Sequence, residues 1–253
     1  MSQITTSQTL RSLHRDFVHD IKFDYYGRRI ATCSGDRTVK VWDLDDNNKW
    51  VNHAGSDWQA HRGAVNRLSW SHPEFGQLLA TCGNDQTVTV WEERDAPFDS
   101  HNNNNTNHND GDAPAPGGGG GGTETTQKRW IAKVQLCDAR KSVTSVQFAP
   151  RHMGLKLATG SADGVVRIYE AIDVMNLNQW VMDGCIDDGE CERGTTGGAA
   201  AAGGTGGGAP VSALSWCSSR FEPAGMAVGR GDGRVHVYRY GDASRQWYCA
   251  LEL

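Results

Sequence analysis

Apolar and polar residues alternate along short segments of this chain, and the segments return in the same order four times. In the first copy, two strand-like runs at Ile30–Ser34 and Val39–Asp43 flank a tight turn at residues 35–38. In each copy, an aspartate in the turn is followed six residues later by an aromatic residue. The four pairs are Asp36 and Trp42, Asp85 and Trp91, Asp163 and Tyr169, and Asp232 and Tyr238. This recurring spacing predicts a repeat architecture.

Each repeat contains enough β-type runs for four strands. In the first repeat the predicted strands are Val18–Phe23, Arg29–Ser34, Val39–Asp43 and an outer strand within Trp50–Trp58, and in the second they are Val65–Trp70, Leu78–Gly83, Val88–Glu92 and Arg129–Cys137. In the third repeat they are Val143–Phe148, Leu157–Ser161, Val165–Tyr169 and Gln179–Met182. In the fourth they are Val211–Trp216, Gly225–Gly229, Val235–Tyr240 and Trp247–Leu253. Four-stranded units that cannot cover their own apolar faces stack radially around an axis. The sequence therefore predicts an all-β fold, a β-propeller of about four blades.

Two low-complexity segments interrupt the repeats of this single partial propeller. Residues 14–95 hold blades 1 and 2, residues 128–182 hold the outer strand of blade 2 and blade 3, and residues 211–253 hold blade 4. Between them, residues 96–127 are rich in Asn and Gly, and residues 183–210 are rich in Gly, Ala and Thr. Such compositions bury too little apolar area to offset chain entropy, so we predict surface insertions.

Charge and hydropathy exclude several classes of protein. The formal charge of −5 gives no basic face for displacing counterions, so we expect no direct binding of nucleic acid. No apolar run approaches the length of a signal sequence or a membrane span, which predicts a soluble chain made in the cytosol, without membrane insertion. Seven cysteines without metal-type spacing favour a reducing compartment over a disulfide framework.

Four polar and aromatic residues of the second repeat are spaced to form one hydrogen-bonded chain from the preceding loop to the third strand. These residues are His61, Thr81, Asp85 and Trp91, and the first repeat has the same set as His14, Thr32, Asp36 and Trp42. A satisfied buried network rigidifies a core, so we interpret both sets as structural bracing, although a His–Asp pair can also serve acid–base catalysis. The third and fourth repeats lack the histidine, and we expect packing to hold those blades.

Other candidate chemistry is weak, and we predict no catalytic, cofactor-binding or metal-binding residue and no enzyme activity. Gly229–Gly233 resembles a phosphate loop, but no helical pattern follows and Asp232 is in the repeat register, which favours a turn. His101 and His108 lack a second pair of metal ligands. Nothing supports a redox role for Cys185 and Cys191 in the second insertion.

Three stretches resemble one family of WD-repeat propellers, the Seh-type nucleoporins. They are HDIKFDYYGRRIATCSGDRTVKVWD at residues 19–43, SHPEFGQLLATC at 71–82 and APRHMGLKLATGSADGVVRIYEAIDVMNLNQW at 149–180. The first two are partly shared with the sister Sec-type propeller of vesicle coats, whereas the third favours the Seh type. The resemblance covers most of residues 14–182, and residues 211–253 match only as a generic repeat.

The resemblance implies a WD-repeat β-propeller that is open and, with about four blades of ~40–45 residues each in this chain, incomplete. It also implies a scaffold protein without chemistry. In that family an open six-bladed ring receives a strand-rich blade from an α-solenoid nucleoporin, within the Y-shaped complex of the nuclear pore, and this supports mRNA and protein transport. The same propeller serves a TOR-regulating complex on the lysosomal or vacuolar membrane. We therefore expect an α-solenoid partner and other scaffold nucleoporins. The alternatives are a Sec-type coat subunit, a subunit of that TOR-regulating complex and, from another class, a peptide-binding propeller.

Overall fold

In the computed structural model, which describes residues 9–96, 127–187 and 208–253, the strands form four antiparallel sheets in chain order. Blade 1 contains β1 (Val18–Phe23), β2 (Arg29–Ser34), β3 (Thr38–Leu44), β4 (Trp50–Val51) and β5 (Asp57–Gln59). Blade 2 contains β6 (Val65–Trp70), β7 (Leu78–Gly83), β8 (Val88–Ala96) and β9 (Gln127–Leu136). Blade 3 contains β10 (Val143–Phe148), β11 (Lys156–Ser161), β12 (Val165–Ala171) and β13 (Trp180–Asp187). Blade 4 contains β14 (Val211–Trp216), β15 (Gly225–Arg230), β16 (Val235–Gly241) and β17 (Gln246–Glu252).

The all-β fold and the four sheets are as predicted. The larger differences lie in the third strand of blade 2, where β8 continues to Ala96 beyond the predicted end at Glu92, and in the outer strands. The outer strand of blade 1 consists of two short pieces, β4 and β5, which both pair with β3. The outer strand of blade 3 extends to Asp187, beyond the predicted end at Met182. Most of the two predicted insertions lies outside the described residues. The remaining regular elements are short 3-10 helices at Pro73–Phe75 and Arg151–Met153, and no helix in the described ranges is long and apolar enough to cross a membrane.

The four aspartates that define the repeat occupy equivalent hairpin bends between the second and third strands of their sheets. In all four bends the residue after the aspartate has a positive φ: Arg37 at 74°, Gln86 at 68°, Gly164 at 84° and Gly233 at 91°. Left-handed backbone at one defined position is typical of a short hairpin loop closed by a bulge. The spacing from aspartate to aromatic therefore reports one recurring bend geometry.

The hydrophobic core consists of three clusters, and each cluster lies between two successive blades. On the first of the two blades, the contributing side chains stand three and five residues on either side of the turn aspartate. We call this surface the end face; its residues are Ala31, Cys33, Val39 and Val41 in blade 1, Ala80, Cys82, Val88 and Val90 in blade 2, and Ala158, Val166 and Ile168 in blade 3. The inner strand of the following blade supplies the other surface, which we call the start face. Its residues are Val65, Leu68 and Trp70 in blade 2, Val143, Val146 and Phe148 in blade 3, and Val211, Leu214 and Trp216 in blade 4.

We call the row of four blades the arc, and the first strand of each blade (β1, β6, β10 and β14) its inner strand. Hydrogen bonds between neighbouring inner strands hold the blades together at the centre of the arc. The second residue of each inner strand contacts the carbonyl oxygen of the first residue of the next inner strand. The three bonds are His19 Nδ1 to Val65 O at 2.9 Å, Asn66 Nδ2 to Val143 O at 2.7 Å and Thr144 Oγ1 to Val211 O at 2.5 Å. Because each bond satisfies a backbone acceptor between sheets, it sets the register of one blade on the next.

Candidate functional site

Within the described ranges, no sheet packs on the start face of blade 1, and its apolar side chains are exposed. Ile21 and Phe23 are 56% and 59% exposed, whereas Leu68 at the position of Ile21 in blade 2 is 1% exposed. Val18, the first residue of the same strand, is also exposed. A contiguous row of exposed β-branched and aromatic side chains of this kind marks an interaction surface.

The end face of blade 4 is the complementary open surface. Ala227, Gly229, Val235 and Val237 stand at the same distances from the turn aspartate as the buried end-face residues of the other blades. Val235 is exposed and Val237 half-buried, while Val39 and Val41 at these positions of blade 1 are wholly buried. The outer strand β17 extends the surface, because Leu251 pairs with Val237. Both ends of the arc therefore present a blade face of the kind that elsewhere packs against another sheet.

The predicted network of blade 2 is present as a continuous set of hydrogen bonds. His61 Nδ1 lies 3.0 Å from Asp85 Oδ1, and His61 Nε2 lies 2.8 Å from Thr81 Oγ1. Trp91 Nε1 donates to the same Thr81 oxygen at 2.9 Å. Thr87 adds a bond from its hydroxyl to Asp85 Oδ1 at 2.9 Å. The four sequence-predicted residues thus connect the loop before the blade to its third strand.

The electrostatics of this network favour an ionised aspartate. Burial would raise the pKa of the Asp85 carboxyl, but hydrogen bonds from His61, the Arg62 amide and Thr87 hold it well below its ordinary range. The Asp85 carboxylate is thus an anion held by donors of its own blade and of the loop that precedes the blade.

Blade 1 repeats the contacts between histidine, threonine and aspartate. His14 Nε2 lies 2.9 Å from Thr32 Oγ1, and His14 Nδ1 lies 3.1 Å from Asp36 Oδ2 and 3.0 Å from Thr38 Oγ1. Trp42 is buried, but the described residues show no hydrogen bond from its indole to Thr32. Burial lowers the pKa of His14, and the contact with Asp36 opposes that shift only in part.

Blade 3 has a charged network that the sequence analysis missed, although we expected packing to hold this blade. Asp163 is buried and receives hydrogen bonds from Ser161, from the Arg140 amide at 3.0 Å and from Arg167 Nη2 at 2.9 Å. Burial raises the pKa of Asp163, but Arg167 and Ser161 outweigh it and lower the pKa to about 2. Arg167 stands four residues after the aspartate and so replaces the missing histidine from the third strand.

The aromatic residue of blade 3 also has a polar partner. Tyr169 donates its hydroxyl proton to Asp138 Oδ2 at 2.9 Å. Burial and the neighbouring Asp138 carboxylate both raise the pKa of the Tyr169 hydroxyl. The phenol therefore ties the third strand of this blade to the loop that precedes it.

In blade 4 the turn aspartate does not enter the buried network. Asp232 is exposed, and its contacts among the described residues are with Arg234 of its own hairpin, the amide at 3.1 Å and the guanidinium Nε at 3.7 Å. The buried Tyr238 hydroxyl contacts His236 Nδ1 at 3.1 Å and Arg230 Nη2 at 3.2 Å. Arg230 also donates to the carbonyl of Gly164 in blade 3. The bracing of blade 4 is thus directed at its neighbour rather than at its own bend.

The repeat pattern does not predict the ion cluster that joins blades 1 and 2. Arg29 of blade 1 donates to Asp43 Oδ1 at 2.6 Å and to both carboxylate oxygens of Glu93 in blade 2, at 2.6 and 2.8 Å. Its guanidinium carbon lies 5.6 and 5.7 Å from the ring centroids of Trp70 and Trp130. Bidentate pairing and contact with two indoles make Arg29 a rigid connection between blades 1 and 2.

The remaining candidates for chemistry do not assemble a reactive centre in the described ranges. No group of three His, Cys, Asp or Glu side chains is placed to hold a metal ion there. Residues 229–233 form the end of β15 and the following hairpin bend. Burial raises the pKa of the Cys33 thiol to about 12, which keeps it protonated and unreactive. His101, His108 and Cys191 lie outside the described residues, and Cys185 is exposed on β13.

Comparison with known proteins gives the repeats their family. The WD domain, G-beta repeat, matches residues 5–43, 54–92 and 133–170. Nucleoporin seh1 of Drosophila melanogaster is 41% identical over 92% of this chain, and nucleoporin SEH1-A of Xenopus laevis is 39% identical over 98%. The chain is a WD-repeat protein related to the Seh-type nucleoporins.

The likeness extends further along the chain than the quoted stretches indicated. Nucleoporin SEH1 of Homo sapiens is 38% identical over 98% of this chain, so the fourth repeat is included. The chain spans 56–59% of the length of these relatives. Its resemblance to Seh-type nucleoporins and its open propeller fold are therefore confirmed.

Proposed function

We propose that this Seh-type chain is a noncatalytic scaffold subunit of the nuclear pore complex at the nuclear envelope. In this role it belongs to the Y-shaped subcomplex and supports nucleocytoplasmic transport of mRNA and protein. Support comes from the relatives, which are named nucleoporins, and from sheets whose polar side chains are used for bracing rather than for chemistry.

The two open blade faces are the observation that carries the proposal. Between successive blades, each end face packs against a start face through apolar side chains. Removing apolar surface from water in this way stabilises the packing by about 25 cal/mol per Å². The start face of blade 1 and the end face of blade 4 keep this surface in solvent. An α-solenoid nucleoporin that contributes a further sheet would bury this surface by packing against these faces.

Bracing between blades suits this role, because a scaffold must hold its binding faces in fixed positions. Arg29 and Glu93 join blades 1 and 2 through a two-bond ion pair. Thr144 and Val211 join the inner strands of blades 3 and 4. A partner that binds the two ends of the arc would therefore contact faces that are already ordered, which lowers the entropic cost of binding.

Co-purification with charged substitutions tests the proposal. The tagged chain and an α-solenoid nucleoporin of the same organism are co-expressed, and the stoichiometry of the recovered complex is measured by native mass spectrometry. We expect a one-to-one complex that Ile21→Arg on the start face weakens at least tenfold, and we expect the chain alone to be poorly soluble. Ile131→Arg is the matched control, because Ile131 is also exposed but lies on the outer strand of blade 2.

Three results would contradict the proposal. The first is a well-behaved monomer that recovers no solenoid nucleoporin. The second is equal loss of binding in the Ile21 and Ile131 variants. The third is recovery of only vesicle-coat subunits or of subunits of the lysosomal or vacuolar TOR-regulating complex, which would assign this fold to one of those assemblies instead.

A further inference from the structure

The packing between successive blades repeats one residue pattern, and the two open faces have the same pattern. We call the packing of an end face on the next start face a junction. The end face has small residues five and three positions before the turn aspartate, and β-branched residues three and five positions after it. At these positions blade 4 has Ala227, Gly229, Val235 and Val237, and blade 3 has Ala158, Gly160, Val166 and Ile168. The open end face of blade 4 therefore resembles a face that is covered elsewhere in the chain.

The open start face of blade 1 likewise has the residues of a covered face. Each inner strand begins with valine and has an aliphatic residue at its fourth position and an aromatic residue at its sixth. In blade 1 these residues are Val18, Ile21 and Phe23, and in blade 3 they are Val143, Val146 and Phe148. The blade 3 residues pack on the end face of blade 2 in one cluster. The two open faces thus match the two sides of one junction.

A hydroxyl group at the end of the arc can extend the series of hydrogen bonds between inner strands. Thr144, the second residue of β10, donates its hydroxyl proton to the carbonyl oxygen of Val211 at 2.5 Å. Ser212 has a hydroxyl at the same position of β14, and no further inner strand follows it in the described ranges. At the other end of the arc, the carbonyl of Val18 is equivalent to the carbonyl of Val211. One copy of the chain therefore offers the donor, and another copy the acceptor, of one more such bond.

A second polar contact of the junctions has equivalent residues at the two ends of the arc. The amide of Phe148 in blade 3 donates to Ser69 Oγ of blade 2 at 3.0 Å. Ser215 of blade 4 stands at the position of Ser69, and Phe23 of blade 1 stands at the position of Phe148. The ends of the arc therefore match each other in polar groups as well as in apolar side chains.

We propose that a second copy of this chain binds at the open faces, with the end face of blade 4 of one copy packed on the start face of blade 1 of the next. Ser212 donates to the Val18 carbonyl across the contact, and Ser215 accepts the amide of Phe23. Burial of Ile21 and Phe23, which are 56% and 59% exposed in the single chain, stabilises the contact. Because the contact joins two different faces, it is heterologous, and further copies can be added at both ends.

The contact between copies is weaker than a junction within one chain. Linking loops hold successive blades of one chain beside each other, whereas two copies lose translational and rotational freedom when they join. We therefore expect single chains in dilute solution and larger assemblies as the concentration rises. The proposal rests on the open faces and not on the nucleoporin role, and a solenoid partner on the same faces would compete with the second copy.

Sedimentation velocity of the complete chain alone tests the proposal. Between about 1 and 100 µM, we expect the weight-average sedimentation coefficient to rise with concentration. Ile21→Arg on the start face and Val235→Arg on the end face each place a charge in the contact and should weaken association at least about tenfold. Ile131→Arg, at an exposed position on the outer strand of blade 2, is the matched control and should leave association unchanged.

Mixing the two variants distinguishes this contact from other modes of association. In an equimolar mixture, the intact end face of the Ile21→Arg chain can pack on the intact start face of the Val235→Arg chain. We expect a one-to-one dimer that does not grow further, because both of its outer faces carry an introduced arginine. A contact between two identical faces would instead leave one of the two variants able to associate alone.

Circular dichroism melts confirm that each variant is folded; if Val235→Arg is not, the comparison of Ile21→Arg with Ile131→Arg decides. A sedimentation coefficient that stays constant at all concentrations, equal effects of Ile21→Arg and Ile131→Arg, or the absence of a dimer in the mixture of folded variants would overturn the proposal. Because no solenoid nucleoporin is present, such a result would not contradict the scaffold proposal. Failure to recover a solenoid partner would, conversely, not contradict self-association.

Discussion

Trp91 donates a 2.9 Å hydrogen bond to Thr81 in the buried centre of blade 2. The bond joins the third strand to the second and completes the chain of contacts that starts at Asp85 and His61. Trp42 holds the same place in blade 1 without an equivalent bond to Thr32 in the part of the chain that the structure describes. The same set of residue types therefore produces a complete network in one blade and a shorter one in the next.

This difference predicts unequal effects of one substitution. Trp91→Phe and Trp42→Phe remove similar volume from two buried sites, but among the described residues only the first breaks a hydrogen bond of the indole. We expect the free energy of unfolding to fall by about 1 kcal/mol more for Trp91→Phe, the net value of a typical hydrogen bond. Urea denaturation of both variants measures the difference, and equal losses would show that the indole bond contributes nothing.

The turn aspartates are predicted to differ in the same way. Asp85→Ala leaves His61 and Thr87 without their acceptor and should lower the free energy of unfolding by ~1–3 kcal/mol. Asp232→Ala at the equivalent bend of blade 4 removes an exposed carboxylate and should change it by less than about 0.5 kcal/mol. Thermal melts of the two variants, side by side, check this, and a similar shift in both would argue against the network.

Acid should destabilise the chain through Asp163. The pKa of this carboxyl is about 2 in the folded chain against an ordinary value of 3.8, so its contribution is complete above pH 3.8 and disappears as the pH falls toward 2. Urea midpoints between pH 5 and pH 2 should fall most steeply in that window. Arg167→Met removes a main cause of the low pKa and should flatten the decline; an unchanged slope would mean that the ion pair does not set it.

Two glycines at equivalent positions report on whether an end face is covered. A Cβ at Gly160 of blade 3 would lie inside van der Waals contact with Val211 of blade 4, so Gly160→Ala should cost about 1–3 kcal/mol. A Cβ at Gly229 of blade 4 would meet only its own sheet, 3.2 Å from Ser212 Oγ, and Gly229→Ala should be tolerated within about 0.5 kcal/mol. Chemical denaturation of both variants measures the contrast, and an equal cost would indicate that something packs on blade 4.

The sequence predicted the sheets well because strand alternation and turn chemistry are local signals. Asp36 and Trp42, for example, lie in one hairpin, and their spacing is set by the register of β2 and β3. The outer strands were less regular, since β13 continues into a glycine-containing stretch that was assigned to the insertion. Its pairing with β12, rather than its composition, makes that stretch a strand.

The polar site residues were predicted only where the same residue types recur. Arg167 replaces a histidine from a different strand, so no alignment of repeats points to it. Arg29 and Glu93 are 64 positions apart, and nothing in either repeat indicates that they meet. His19, Asn66 and Thr144 make equivalent hydrogen bonds between inner strands with three different types of side chain. Comparison of the repeats therefore does not reveal these bonds.

Hydroxyl-radical footprinting of the chain with and without the proposed solenoid partner tests the role of the open faces most directly. In the free chain, Phe23 on the start face and Tyr248, which flanks the end face on β17, should both be oxidised. Met175, 87% exposed on the loop between β12 and β13, serves as the internal control. We predict that the partner protects Phe23 and Tyr248 and leaves Met175 unchanged. Unaltered oxidation of both aromatic residues in the complex, or protection centred on Met175, would contradict the claim that the ends of the arc hold the partner.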